Sequence, residues 1–448
     1  MRSAMCWLLA LVCLLGRAQA QTQTQAQSTT QYIHAAWSSL TRSMEDCRSF
    51  ADVKVHGAQV LYVPAGAATG ELQRSLAGCD VMVRALPKAI HAIGDSDVSA
   101  LPSQGLLFLP HPYVVPGGRF NEMYGWDSYF IIRGLIEDGH RELARGMVEN
   151  FFYEIENYGG VLNANRTYYL TRSQPPFLTS MIRAVYESAS QDKDKDKDKD
   201  KDKDKNKDKQ WLARAYRFAV EDHGLWTRPE HLAGATGLAR YYDYGHGPVP
   251  EMRDDDRYYA TVAQYSLLHP EAGKYTEDAK GMADAVANSS HALRVAVCRN
   301  EAAAVCAAPS PVALTDDYYK GDRAMRESGF DPSFRFDAYS GRTQHFAPVC
   351  LNALLFKAES DLAWMAAQLG KSDDAKNWQA AADERKKDID KYLWNAAKGS
   401  YFDYDLEAGK QSDYVYATMM YPLWAGCASR EQAQGVRSAL AQLVKPGG

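Results

Sequence analysis

The chain has 448 residues, a formal net charge of -5, 46% hydrophobic residues and 24% charged residues. It is therefore globular, and long enough for two or three average domains or for one large helical barrel. Its slightly acidic balance offers no basic face to nucleic acid.

Residues 1–20 have the pattern of a secretory signal: Arg2 at the start, an apolar run from Cys6 to Leu15 too short to span a bilayer, and the small-x-small site Ala18-Gln19-Ala20. Residues 21–30, rich in Gln, Thr and Ser, are expected to be disordered. Cys47, Cys79, Cys298, Cys306, Cys350 and Cys427 remain after the signal. An exported chain could pair some of them, Cys298 and Cys306 being the most local candidates, and buried thiols are the other reading. No Cys-x-x-Cys or clustered His pattern points to a metal, and no cofactor is expected.

Tyr32 to Ser49 has helical spacing, and the pattern is then weak as far as Leu106. Pro116-Gly117-Gly118 marks a turn that leads into a helix. Ile131, Ile132, Leu135 and Ile136 form one helical stripe, closed by Gly139, and Leu143, Met147, Phe151 and Ile155 form the next, so the two predict an antiparallel hairpin. Leu178, Met181, Ile182 and Val185 follow Pro175-Pro176 as a third stripe. A long stripe from Leu351 to Leu369 ends at Gly370, and Ser372 is placed to cap a helix that runs through Trp378, Ala382, Ile389 and Leu393. Residues 192–209 hold eight Asp and nine Lys and nothing apolar. They are expected to be a solvated loop insert between a helix ending near Ser190 and one starting near Gln210. Polar, aromatic loops are expected at Gly159–Pro176, Tyr242–Asp256 and Asp316–Gly341. Helix pairs with long loops of this kind predict a helical toroid with a cleft.

Four stretches carry chemistry. From Pro116 to Phe130, charged Arg119, Glu122 and Asp127 alternate with Phe120, Tyr124, Trp126 and Tyr129. Sugars need that mixture, because hydroxyls take directional hydrogen bonds and the C–H faces of the ring pack on aromatic planes. Asn163 to Phe177 is a second dense polar stretch, with Arg166, Arg172 and Gln174, and it contains the formal glycosylation triplet Asn165-Arg166-Thr167. For Arg166 a loop-stabilising ion pair is the preferred reading. Gly247-Pro248-Val249-Pro250-Glu251 is the third, and Arg326-Glu327-Ser328-Gly329-Phe330-Asp331 through Arg335 is the fourth. Cleaving a glycosidic bond needs two carboxyl groups, an acid for the leaving oxygen and a base or nucleophile at the anomeric carbon.

Together these stretches resemble the signatures of the trehalases, glycoside hydrolase family 37: P-G-G-R-F-x-E-x-Y-x-W-D-x-Y, N-x-N-R-x-Y-Y-x-x-R-S-Q-P-P, R-P-E and E-S-G-W-D-x-S-x-R. Two departures stand out: Val249 occupies the arginine of R-P-E, and Phe330 the tryptophan of the last motif. The resemblance implies an all-α (α/α)6 barrel and inverting hydrolysis of α,α-trehalose to two glucose molecules. It implies Asp331 as general acid, with Arg119, Phe120, Tyr124, Trp126, Asp127, Asn163, Arg172, Gln174, Glu251 and Gly329 on the substrate. The family's second signature and the segment bearing its catalytic base have no counterpart before Gly448, so residues 31–448 are expected to be a catalytic domain truncated in its last barrel helices. The resemblance is to the periplasmic type, and a monomer acting on a small-molecule substrate, without membrane or nucleic-acid partner, is expected. The alternatives are an (α/α)6 glycosidase for another glucoside, or a catalytically inactive sugar-binding remnant.

Overall fold

The structure is a computed structural model that describes residues 31–51, 59–95, 101, 104–193, 201–252, 256–272, 275–278, 294–298 and 310–446. The expected signal (1–20) and disordered segment (21–30) lie outside these residues.

Helices dominate, and the apolar stripes build them. The principal ones are α1 (Asp127–Glu137), α2 (Arg141–Tyr158), α3 (Leu178–Lys193), α4 (Lys201–Trp226), α5 (Asp256–Leu268), α6 (Asp316–Glu327), α7 (Val349–Gln368), α8 (Ser372–Asp388) and α9 (Arg430–Ala439). Gly139, at φ 81°, reverses the chain after α1, and α1 and α2 pack together as the expected hairpin. Helix α3 lies against α1, α2, α4 and α7, while α7 lies against α4 and α8. Ile132, Leu135, Met147, Phe151, Met181, Ile182, Phe218, Leu362 and Met365 meet in one core, where each large side chain contributes about 1.5–3 kcal/mol. Helix α7 is buried on nearly every side and takes an inner position, whereas α8 exposes its outer face. The result is the helix-pair architecture of an (α/α)6 toroid.

Four findings differ from the expectation. The stretch Asp316–Gly341 is not all loop: its first half is α6, capped by the Thr315 side chain, which accepts from the Tyr318 N–H. The Lys-Asp run is not all loop either, because α4 begins at Lys201. Once Trp211 to Trp226 form a helix, adding a turn in front needs no new nucleus. Residues 31–40 are helical, but the chain then enters the strand Thr41–Arg42 and the expected helix stops short of Ser49. At the smallest scale, Ser372 is the first residue of α8 rather than its cap, which is Lys371.

The weak region before Leu106 holds a parallel sheet added to the helices: β1 (Gln59–Val63) between β2 (Val81–Ala85) and β3 (Leu106–Leu107), with Leu61 opposite Val83 and Leu106. Cys47 and Cys79 form a disulfide beside it, with Cα atoms 5.0 Å apart. Cys298 is also disulfide-bonded, to a partner outside the described residues, while Cys350 and Cys427 are buried free thiols.

Candidate active site

The site is assembled from loops. The segment after Tyr158 is stitched to the sheet: the Leu107 N–H donates to Asn165 O at 2.8 Å, the Thr167 N–H donates to Gly105 O at 3.0 Å, and the Gly105 N–H donates to Thr167 Oγ1 at 3.0 Å. Asn165 is fully buried, its Oδ1 accepting from the Met123 N–H at 2.7 Å and its Nδ2 donating to Leu107 O at 2.8 Å. The glycosylation triplet is thus consumed by the fold. Arg166 is buried and its Nε donates to Glu122 Oε1 at 2.6 Å, the loop-stabilising ion pair expected of it.

The Pro116–Trp126 turn lies along this segment. The Gly125 N–H donates to Asn163 O at 3.1 Å, and the Trp126 N–H donates to Gln174 Oε1 at 2.8 Å. A Cβ at Gly125 would come within 3.0 Å of the Gln174 side chain, so glycine is what permits the approach. Asn163 Nδ2 donates to Arg326 O at 3.3 Å and so joins this segment to the end of α6. Gly329, at φ 74°, brings the Asp331 loop against Trp126, whose ring would lie 2.8 Å from a Cβ there.

At the centre stands Arg172, which is buried, with its guanidinium 4.7 Å from the Tyr169 ring centre. Its Nη2 donates to Glu251 Oε1, while its Nη1 is 3.7 Å from Asp243 Oδ2. Among the described residues, its Nε and Nη1 have no hydrogen-bond partner, and neither has Glu251 Oε2. Burial works to raise the Glu251 carboxyl, but the Arg172 and Arg326 guanidinium groups outweigh it and hold Glu251 below the usual carboxylate range. Asp243 is likewise held low, by Arg323 and Arg172 against its burial. Arg323 fixes the loop that delivers Glu251, donating to His246 O, Gly247 O and Pro248 O at 2.8, 2.7 and 3.0 Å. Val249 is fully buried and its N–H donates to Tyr259 Oη at 3.1 Å.

The last stretch is anchored from below. Glu327 is fully buried: its Oε1 accepts from the Ser173 N–H at 3.2 Å, its Oε2 accepts from the Tyr242 N–H at 2.7 Å, and His231 Nε2 lies 3.3 Å away. Phe330 meets Trp126 edge-on at 5.4 Å and Tyr416 at 5.7 Å. Arg335 forks onto Asp403 at 2.7 and 2.8 Å, and Asp403 Oδ1 also accepts from the Val349 N–H at the start of α7, 2.8 Å away. Asp331 follows Phe330 and is exposed.

The structure therefore brings Trp126, Asn163, Arg172, Gln174, Glu251 and Gly329 into one contiguous set. Arg119 is exposed and joins it only through a ladder of rings: its guanidinium lies 5.4 Å from Phe120, and Phe120 contacts Tyr124, which contacts Tyr169 beneath Arg172. Asp127 is half-buried at the first position of α1, and burial raises its carboxyl. Sequence reasoning missed Asp243, Asp322, Arg323 and Asp403, which support the set from elsewhere in the chain. Among the described residues, the buried carboxylates nearest this set (Asp243, Asp322, Glu327 and Asp403) each hold an arginine or backbone N–H groups. Asp331, by contrast, is open to solvent. The arrangement can grip a polyhydroxylated ring between aromatic edges and unsatisfied charged groups, with one accessible carboxyl at the rim.

Residues 70–448 match the trehalase family model. A probable trehalase of Eremothecium gossypii is 33% identical over 93% of this chain and 56% of its own length. The cytosolic neutral trehalase of Kluyveromyces lactis is 36% identical over 75% of this chain and 41% of its own. The chain thus spans about half the length of the curated relatives it matches. The solved neutral trehalase of Saccharomyces cerevisiae superposes with a TM-score of 0.70 at 29% identity, over 91% of this chain and 74% of that one. The periplasmic expectation is overturned, because relatives from K. lactis, S. cerevisiae and Neurospora crassa are named cytosolic neutral trehalases. The family match over residues 70–448, with these relatives, shows that the chain belongs to the trehalase family.

Proposed function

We propose that this chain serves the hydrolysis of α,α-trehalose to two glucose molecules by an inverting acid–base mechanism. The observation that supports it most is a set of buried polar atoms, Arg172 Nε and Nη1 and Glu251 Oε2, that have no hydrogen-bond partner among the described residues, in a chain of the trehalase family. Sugar hydroxyls, which donate and accept at once, satisfy such a set. In this reading Asp331 is the general acid that protonates the departing glucose oxygen. Trp126 and Phe120 pack on the ring faces, Asn163, Arg172, Gln174 and Glu251 bind hydroxyls, and Gly329 lets the backbone approach. Arg119, Tyr124 and Asp127 line the entrance. Inversion also requires a carboxylate that activates water on the opposite face, about 6.5–9.5 Å from the acid.

The test is glucose release from trehalose, followed alongside calorimetric binding. Asp331→Asn keeps the shape and removes the proton, so trehalose turnover should fall by about 10²–10⁴. With a glucosyl fluoride, whose leaving group needs less protonation, the loss should be much smaller. If Asp331→Asn keeps wild-type turnover, or loses both activities equally, Asp331 is not the acid. Trehalose binding without glucose release would reduce the function to sugar recognition, and preference for a different glucoside would replace the substrate.

A further inference from the structure

The turn from Pro116 to Glu122 carries Arg119 and Phe120 at the edge of the site, yet its own packing does little to hold it. Pro116, Gly118 and Arg119 are exposed. A Cβ at Gly118 would meet open space, and one at Gly117 would meet only the Phe120 ring. Two glycines in an exposed turn leave the backbone free to move unless something outside it fixes the conformation.

Asn121 is where the turn is fixed. It is buried, and its backbone and side-chain polar groups are all engaged. Its N–H donates to Glu122 Oε2 at 3.1 Å, and its carbonyl accepts from Tyr113 Oη at 2.7 Å. Its side chain reaches a distant segment: Oδ1 accepts from Arg42 Nε at 3.1 Å, and Nδ2 donates to Ala51 O at 2.9 Å. Arg42 is buried too, and its Nη2 donates to Gly118 O at 3.4 Å. One guanidinium thus grips the residues on either side of Arg119 and Phe120. Arg42 does not move freely itself. Thr41 and Arg42 pair antiparallel with Val114 and Tyr113, and the Val115 N–H donates to Leu40 O at 3.0 Å. Met44 and Phe50 enter the main core, and Cys47 is bonded to Cys79 beside the sheet.

Arg42 and Ala51 precede residue 70, where the family match begins, and none of the four signature stretches contains them. The hydrogen bonds of Arg42 all go to neutral oxygens. Burying a guanidinium on such partners is costly, and an apolar side chain could fill the space. What only the planar fork supplies is the double hold on the turn.

We propose that Arg42 is a positioning residue for the substrate: it acts not on the sugar itself but by holding Gly118 and Asn121 so that Arg119 and Phe120 face the glucosyl ring. The proposal rests on the reading of this site as a glucoside pocket.

The experiment is calorimetric titration of the full chain with trehalose, for wild type, Arg42→Met, Arg119→Ala and the double variant, with melting curves alongside. Arg42→Met keeps much of the volume and removes the fork. It should weaken binding about 3- to 30-fold, the range for residues coupled in one network. Arg119 is exposed, so Arg119→Ala should weaken binding without unfolding the chain. If Arg42 acts through the turn, Arg42→Met costs markedly less affinity in the Arg119→Ala background than in wild type, which a general loss of stability would not produce. Wild-type affinity in a folded Arg42→Met, or the same fold-loss in both backgrounds, overturns the proposal. If Arg42→Met does not fold, Arg42→Lys decides, because it keeps the charge but cannot span both ends of the turn and should bind several-fold more weakly. Wild-type affinity in Arg42→Lys, or a loss that Arg119→Ala does not reduce, then overturns the proposal. A wild-type chain that binds no glucoside at all overturns the functional reading, and the proposal with it.

Discussion

Glu327 shows how much of the site depends on single buried groups. One carboxylate holds Ser173, next to Arg172, and Tyr242, next to Asp243, in register with α6. Truncating Glu327 to alanine leaves two buried N–H groups without acceptors, at about 1–3 kcal/mol each. Glu327→Ala should therefore lose about 2–6 kcal/mol in urea denaturation, and Glu327→Gln, which keeps one acceptor, should lose less; an alanine variant as stable as wild type would mean that water replaces the carboxylate. In the sequence Glu327 is visible as part of a motif, as Arg172 is. Its partners are not, because they lie 154 and 85 positions away, and no local spacing encodes them. The same holds for Asp403, 68 positions from Arg335. Asp331 is the opposite case: the motif singles it out, while the fold leaves it at the rim without a buried anchor of its own.

At the level of elements, apolar spacing made α1, α2, α3, α7 and α8 legible, with the glycine stops of α1 and α7 at Gly139 and Gly370. Helix α6 was not, although its cap is a standard one. Its buried face carries Asp322, Arg323 and Glu327 beside Tyr318, Tyr319 and Met325, so charge sits where hydrophobicity marks an ordinary helix. A helix that delivers polar groups into a cleft hides itself from a hydropathy pattern. The parallel sheet escaped for another reason: β3 is only two residues long. The Lys-Asp run belongs at this scale too. Residues 206, 207 and 209, on its helical part, are exposed, and changes in loop length cost little, about 0.6 kcal/mol per doubling. Deleting residues 192–209 should leave the melting temperature within about 2–4 °C of wild type, with trehalose binding unchanged. A larger loss, read by calorimetry, would mean that the run packs against the rest of the molecule.

For the molecule as a whole, stability against pH has an identifiable contributor. Asp222, on α4, is buried, and burial alone pushes its carboxyl from 3.8 up to about 7. The folded state keeps this proton after the unfolded chain has released it. Asp222 therefore lowers stability progressively as pH rises from about 4 to about 7, by up to roughly 4 kcal/mol, and adds no further change above that. Asp222→Asn should raise the melting temperature at pH 8 and leave it nearly unchanged at pH 4; equal shifts at both pH values would show that ionisation is not the cause.

The sheet has a consequence of another kind. The segment that presents Arg172 is fastened to β3 by hydrogen bonds that join Leu107 to Asn165 and Gly105 to Thr167, contacts 58 and 62 residues apart in the chain. Helix hairpins close short loops and can form early, whereas so distant a join must first overcome a larger loss of chain entropy. The Arg172 loop is thus expected to assemble late, after β3 has paired with β1. The helices are expected to form before the buried arginine is in place.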